Sequence, residues 1–119
     1  MYQISKEFHF SASHRLEHLP EDHPCFRLHG HNYIVELILQ AETLGPEDFV
    51  VDYRKLEPFK RIVDDELDHR HLNDILPGTT SAECLAQWLF ERAKQFWPTL
   101  VYAVRVSETP KTWAQYREC

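Results

Sequence analysis

The chain has 119 residues, 43% of them hydrophobic and 27% charged, which is enough for one real core and is expected to form a single domain over residues 1–119. Its formal charge of −6, with no compensating basic cluster, argues against nucleic acid as a partner. No apolar run reaches the length of a membrane span, and Met1–Glu7 alternates instead of forming a signal-peptide core, so neither membrane nor export is expected.

Taken in order, the chain opens with Tyr2, Ile4, Phe8 and Phe10 on one side and Gln3, Ser5, Glu7 and His9 on the other. That is a half-buried strand whose apolar face is interrupted only by Lys6. Residues 11–28 contain Pro20 and Pro24 and predict a long, partly irregular connection, which in a compact domain is often functional. It carries His14, His18, His23 and Cys25; His9, His18 and His23 are expected at the surface, with His23 the one of these expected to line the site. Cys25-Phe-Arg-Leu-His29-Gly-His31 then runs into a second strand, roughly His31 to Ala41. On a strand, His29 and His31 leave the same face about 7 Å apart and can close on one cation. Gly30 between them lets another segment come near. Such a pair suits zinc, which needs a third protein ligand and, if catalytic, an open fourth position. His14 is the natural third. Cys25 could instead be a fourth ligand that closes a structural site.

Leu44-Gly45-Pro46 predicts a turn, and Phe49–Tyr53 a short strand or the lead-in to a helix. Leu56, Phe59, Ile62, Val63 and Leu67 recur at helical spacing, with Pro58 in the first turn and an end near Leu67. Asp68–Asn73 predicts a polar loop. Thr80-Ser-Ala-Glu83 has capping-box spacing and opens a second helix with Leu85, Trp88, Leu89 and Phe96 on its apolar stripe. Val101–Val106 and Thr112–Tyr116 predict two closing strands around Ser107–Pro110. The order ββααββ is that of an α+β domain, a four-stranded antiparallel sheet with two helices on one face, whose free edges invite self-association. Three cysteines, Cys25, Cys84 and Cys119, make an odd count without scaffold spacing, which fits a reducing cytoplasm.

These motifs, in this order, resemble the 6-pyruvoyl-tetrahydropterin and 6-carboxy-tetrahydropterin synthase family over nearly the whole chain. Phe10-Ser-Ala-Ser-His14 resembles its first zinc-ligand motif, Cys25-x-x-x-His29-Gly-His31 its nucleophile-plus-metal motif, and Leu67-Asp-His-Arg-His-Leu-Asn73 its catalytic relay. Thr80-Ser-Ala-Glu83 and Ser107-Glu-Thr-Pro110 resemble its pterin-binding segments. The resemblance implies a tunnelling fold, assembly as a hexamer of two trimers, active sites between subunits, and one Zn2+ per subunit on His14, His29 and His31. It implies 7,8-dihydroneopterin triphosphate as substrate. Cys25 would be the base, a thiolate being favoured beside a cation, supported by Asp68 and His69, with His71 the alternative imidazole. Glu108 would accept paired hydrogen bonds from the pterin edge. Ser81, and Thr80 if it is not simply a helix cap, would contact the pterin.

Three residues between Cys25 and His29 resemble the bacterial 6-carboxy-tetrahydropterin synthases of queuosine and related 7-deazaguanine pathways. These make 6-carboxy-5,6,7,8-tetrahydropterin with release of acetaldehyde and triphosphate. The 6-pyruvoyl synthases, which eliminate triphosphate without carbon–carbon cleavage, are the first alternative; a non-catalytic zinc-stabilised binding module is the second. Ser107 stands where many relatives have a tryptophan, so the packing at the pterin pocket is expected to differ here.

Overall fold

The computed structural model describes residues 1–119. Strands β1 (Tyr2–His14) and β2 (His29–Ala41) pair antiparallel along their whole length, from Tyr2 opposite Ala41 to His14 opposite His29. β4 (Val101–Ser107) pairs antiparallel with β2, with a register shift at Ile38/Leu39, and β5 (Ala114–Tyr116) pairs antiparallel with β4. β3 (Arg70–His71) runs parallel to Ala12–Ser13 of β1. The sheet is therefore five-stranded and mixed, in the order β3-β1-β2-β4-β5, not four-stranded and antiparallel as expected. A two-residue strand is too short to carry an alternation signal, so the polar stretch after Leu67 concealed it.

Three boundaries also differ from expectation. β1 continues through Ser11-Ala-Ser to His14, because Phe10, Ala12 and His14 prolong the buried face that begins at Phe8. β2 begins at His29, so both His29 and His14 lie on strands and not in the connection. The first helix is α1 (Glu57–Arg61), entered through a 3-10 turn over Tyr53–Leu56 capped by Asp52, and widened into a π-helical segment over Ile62–Leu67 that ends with the Asp68 N–H on the Val63 carbonyl. Pro58 lies in its first turn as expected.

The second helix, α2 (Ala82–Phe96), is capped by Ser81, whose hydroxyl accepts the Cys84 N–H at 3.2 Å. Thr80 is buried and does not cap.

Both helices cover one face of the sheet. Phe8, Phe10, Tyr33, Val35, Leu37 and Leu39 point to that face and meet Phe59, Val63, Leu67, Leu85, Leu89 and Phe90 in a single core. Phe10 stacks on Tyr33 with centroids 4.8 Å apart, and Phe8 tilts against Phe59 at 5.0 Å. Trp88 and Trp97 pack at the margin of this core, whereas Phe96 is exposed. No helix is long and apolar enough to cross a membrane.

A two-pronged ion pair ties the π segment to α2: the Arg92 guanidinium donates to both Glu66 oxygens, at 2.7 and 2.8 Å. The Arg92 hydrogen bonds hold the Glu66 carboxyl below the usual carboxylate range, against partial burial. A carboxyl that is more acidic in the folded chain adds stability above its unfolded pKa and loses it as pH falls through the folded one. Because the pair is partly exposed, Glu66→Gln is expected to cost only about 0.5 kcal/mol near neutrality. The difference should vanish in acid, as read from denaturation midpoints of both chains at the two pH values.

Candidate metal centre and active site

Antiparallel pairing places His14 directly opposite His29, and Ala12 opposite His31. The three imidazoles thus gather on the helix-covered face, one step beyond the Phe10–Tyr33 stack. Their ligand nitrogens all lie within 4.8 Å of one another, with ring centroids 4.6–5.2 Å apart. His14 Nδ1 donates to the Thr80 carbonyl at 2.8 Å, and His29 Nδ1 to the Arg27 carbonyl at 2.6 Å. A carbonyl only accepts, so Nδ1 carries the proton in both rings and Nε2 keeps its lone pair. Burial pushes the His31 imidazole down toward its neutral, ligating form, ahead of the opposing pull of Glu108.

His14 Nε2 and His31 Nε2 are buried without a hydrogen-bond partner. Leaving such atoms unpaired costs on the order of 1–3 kcal/mol each. Three convergent imidazoles with free ring nitrogens form the donor set that zinc takes in open catalytic sites, so the residues present fit the metal. The Cys25 thiol is outside this donor cluster.

The segment from Asp68 to Thr80 grips the end of β1 almost residue by residue. Asp68 Oδ1 accepts the Ser11 N–H at 2.9 Å, and the His69 N–H donates to the Ser11 carbonyl at 2.6 Å. β3 then pairs with Ala12 and Ser13. The Asn73 side chain closes the grip: it accepts the Arg15 N–H at 2.9 Å and donates to the Arg15 carbonyl at 2.8 Å. Thr80 sits behind His14, its carbonyl and hydroxyl both against Nδ1. Across the strand pair, a Cβ on Gly30 would come within 3.3 Å of the Ala12 carbonyl. The absent side chain therefore matters for the close approach of β1.

A cavity of about 500 Å³ opens over the imidazoles, lined also by Cys25, Glu108, Thr109 and Thr112. Cys25 is a free, half-buried thiol in a 3-10 turn over Pro24–Phe26. Its N–H donates to His23 Nδ1 at 3.0 Å and its carbonyl accepts the Leu16 N–H at 2.9 Å. Those bonds fix the turn and leave the thiol to the cavity. His23 acts on the backbone of this turn and does not line the cavity.

Glu108 follows β4, in a bend shaped by the Ser107 hydroxyl on the Thr109 carbonyl. Its Oε2 lies 3.3 Å from His14 Nε2 and 3.1 Å from His31 Nε2. The His14 ring, and then the charge of His31, hold its carboxyl below the usual range against burial.

Asp68 and His69 do not join this cavity. His69 lines a second cleft of about 470 Å³ with Ser11, Ser13, Asn32, Arg70 and His71, and His31 borders both. His69 Nδ1 is 2.9 Å from Asp68 Oδ2, and its side chain is 82% exposed. Its φ of 58° is left-handed, a conformation costing roughly 1–2 kcal/mol for a residue with a Cβ. The Ser11 N–H, then the His69 contact, hold the Asp68 carboxyl low. His71 is engaged with the Ser13 hydroxyl at 3.0 Å, which leaves His69 as the imidazole paired with a carboxylate. Neither Ser81 nor Thr80 lines the metal-site cavity. Asn73 and Thr109 belong to the site's surroundings without a sequence signal of their own, since each sits in a polar stretch read for its neighbours.

The family model of 6-pyruvoyl tetrahydropterin synthase matches residues 3–119. A Synechocystis protein named 6-carboxy-5,6,7,8-tetrahydropterin synthase is 34% identical over 98% of this chain and 93% of its own length. A Pyrococcus furiosus protein named dihydroneopterin monophosphate aldolase is 37% identical over 67% of this chain and 68% of its own. The solved structure of Caenorhabditis elegans 6-pyruvoyl tetrahydropterin synthase superposes with a TM-score of 0.87 at 29% identity, covering 99% of this chain and 96% of that one.

Proposed function

The chain belongs to the 6-pyruvoyl tetrahydropterin synthase family, and from that premise we propose that it converts 7,8-dihydroneopterin triphosphate to 6-carboxy-5,6,7,8-tetrahydropterin, releasing acetaldehyde and triphosphate, as a zinc-dependent lyase of 7-deazaguanine and queuosine biosynthesis. The observation that carries this reading is the meeting, in one cavity, of a three-imidazole donor set, a free thiol and a carboxylate. The volume suits a single small molecule. Bacterial relatives named 6-carboxy-5,6,7,8-tetrahydropterin synthase favour the carboxy product, as does the short spacing from Cys25 to His29.

A zinc ion on His14, His29 and His31 supplies Lewis acidity toward the hydroxylated side chain of the substrate. Cys25, held at the cavity wall by its backbone, takes the side-chain proton. The Glu108 carboxylate fixes the pterin by its N–H and amino edge, while Ser81 and Thr80, expected from the sequence to contact the pterin, lie off this cavity as the cap of α2 and the partner of His14. Within one chain His69, the partner of Asp68, opens onto a different cleft. That separation suits a catalytic group shared between copies, with the His69 imidazole of one subunit exchanging protons with Cys25 of another, in a hexamer of two trimers. The Asp68 carboxylate then keeps the ring oriented.

The 6-pyruvoyl product is the runner-up, and one relative is named an aldolase. All three begin at the same side chain, so the test is product analysis. Zinc-loaded protein with 7,8-dihydroneopterin triphosphate should yield acetaldehyde and 6-carboxy-tetrahydropterin. A pyruvoyl product without acetaldehyde moves the chain to the runner-up. No turnover by folded, metal-replete protein sinks both and favours a zinc-stabilised binding module.

A further inference from the structure

The cavity over the imidazoles suits the ring end of a substrate and not a polyanionic tail. Its walls carry Cys25, Glu108 and the three histidines, but no lysine or arginine. A triphosphate ester bears several negative charges at neutral pH, and the Glu108 carboxylate would repel it. The second cleft, of about 470 Å³, has the opposite character: no acidic residue lines it, in a chain whose formal charge is −6. Ser11, Ser13 and Asn32 stand on the sheet face turned away from the core, alternating with the buried Phe10, Ala12, His14 and Tyr33. The Ser11 hydroxyl donates to Asn32 Oδ1 at 2.6 Å, which leaves the Asn32 amide N–H groups to the cleft. His71 Nδ1 is engaged by the Ser13 hydroxyl at 3.0 Å and His69 Nδ1 by Asp68 at 2.9 Å, so Nε2 of each ring stays free.

Arg70 is the cation of the set. Arg15, Arg54, Arg61, Arg92 and Arg105 each lie within 4.0 Å of a carboxylate. Arg70 has none so near, and its one hydrogen bond, to the Asp65 carbonyl at 3.3 Å, leaves the rest of the guanidinium fork unengaged. Arg27 and Lys111 also lack a carboxylate partner but line neither cavity. An unpaired guanidinium among hydroxyl, amide and imidazole groups is the chemistry that binds phosphate oxygens. We propose that this cleft is a polyphosphate-binding subsite, and that it holds the triphosphate of a substrate whose pterin ring lies in the metal-site cavity of an adjoining copy. The inference rests on the proposed function, which brings His69 of one subunit to Cys25 of another. Arg70 and His71 follow His69 on β3, beyond the reacting side chain, where the tail continues.

Inorganic tripolyphosphate and unsubstituted pterin, titrated into zinc-loaded protein by calorimetry, probe the two ends separately. Wild-type protein should bind both at once. Arg70→Gln is expected to weaken tripolyphosphate at least about tenfold, the loss of a charge-assisted contact. It should raise KM for 7,8-dihydroneopterin triphosphate by a similar factor and leave pterin affinity as it was. Arg27→Gln and Lys111→Gln should change neither ligand. Tripolyphosphate affinity that is unmoved by Arg70→Gln, as for an anion held by the metal alone, overturns the assignment. So does loss in either control variant instead, or wild-type protein that binds no tripolyphosphate. If Arg70→Gln does not fold, the wild-type titrations decide, because tripolyphosphate that displaces pterin has not entered a separate cleft. Arg70-dependent binding by a protein that does not turn over the pterin triphosphate removes the proposed function and keeps the anion site, whereas turnover with unchanged KM in Arg70→Gln removes the subsite only.

Discussion

Cys25→Ala is expected to lower turnover by about two to four orders of magnitude, the usual contribution of a positioned acid–base group, while zinc content and fold stay as they are. The bonds that build its turn are all to the backbone: N–H to His23, carbonyl from Leu16. Alanine keeps them. The half-buried thiol adds little packing, so stability should stay within about 1 kcal/mol. The thiol is also outside the donor cluster of the three imidazoles, so the metal should stay. Turnover, zinc per chain and the unfolding midpoint are the three measurements. Loss of zinc with the thiol would instead make Cys25 a fourth ligand in a closed structural site, and the enzyme reading would fall.

His14→Ala should reach both metal and fold. A lost ligand should weaken metal binding by more than about 100-fold, beyond what removal of a group that merely supports a ligand costs. His14 is also fully buried, and it alone pairs the Thr80 carbonyl on this side. Its removal leaves a void and an unpaired acceptor, so the metal-free protein should lose roughly 1–3 kcal/mol as well. His29→Ala is the informative contrast. That ring is only partly buried and bonds to the exposed Arg27 carbonyl, so metal affinity should fall similarly while metal-free stability changes little. Chelator competition and denaturation of the metal-free chains measure the two effects separately. Unchanged affinity in His14→Ala would remove this histidine from the metal site.

The parts of this architecture legible in the sequence are those with a period. Alternation in Tyr2–Phe10 and helical recurrence from Leu56 to Leu67 mark elements that the structure contains. Small residues hid the rest: Ser11-Ala-Ser continues the pleat of β1, but its short side chains look like a loop. β3 has no pattern because its two residues are held by the neighbouring strand and by the Ser13–His71 contact. Capping-box spacing at Thr80–Glu83 pointed one residue early, since Ser81 offers the same hydroxyl and Thr80 is drawn inward by His14. At the site, the i, i+2 spacing of His29 and His31 was readable as one face of a strand. Pairing with His14 depends on register across a 14-residue connection, which no local pattern encodes. That Cys25 and His69 line different cavities was equally invisible, because sequence motifs carry order and not position in the fold.

The grip of residues 68–80 on the end of β1 also bears on when the site is made. The three imidazoles come from one hairpin-like unit, residues 14–31, whose ends meet by closing a short loop. The ring of His14, however, is aimed by a carbonyl 66 positions along the chain, and contacts of such separation form late because the entropy of closing the large loop must be met first. A nascent β1–β2 pair would therefore present its imidazoles in mixed tautomers and loose orientations. Full ordering of the three imidazoles then belongs to the last stage of folding.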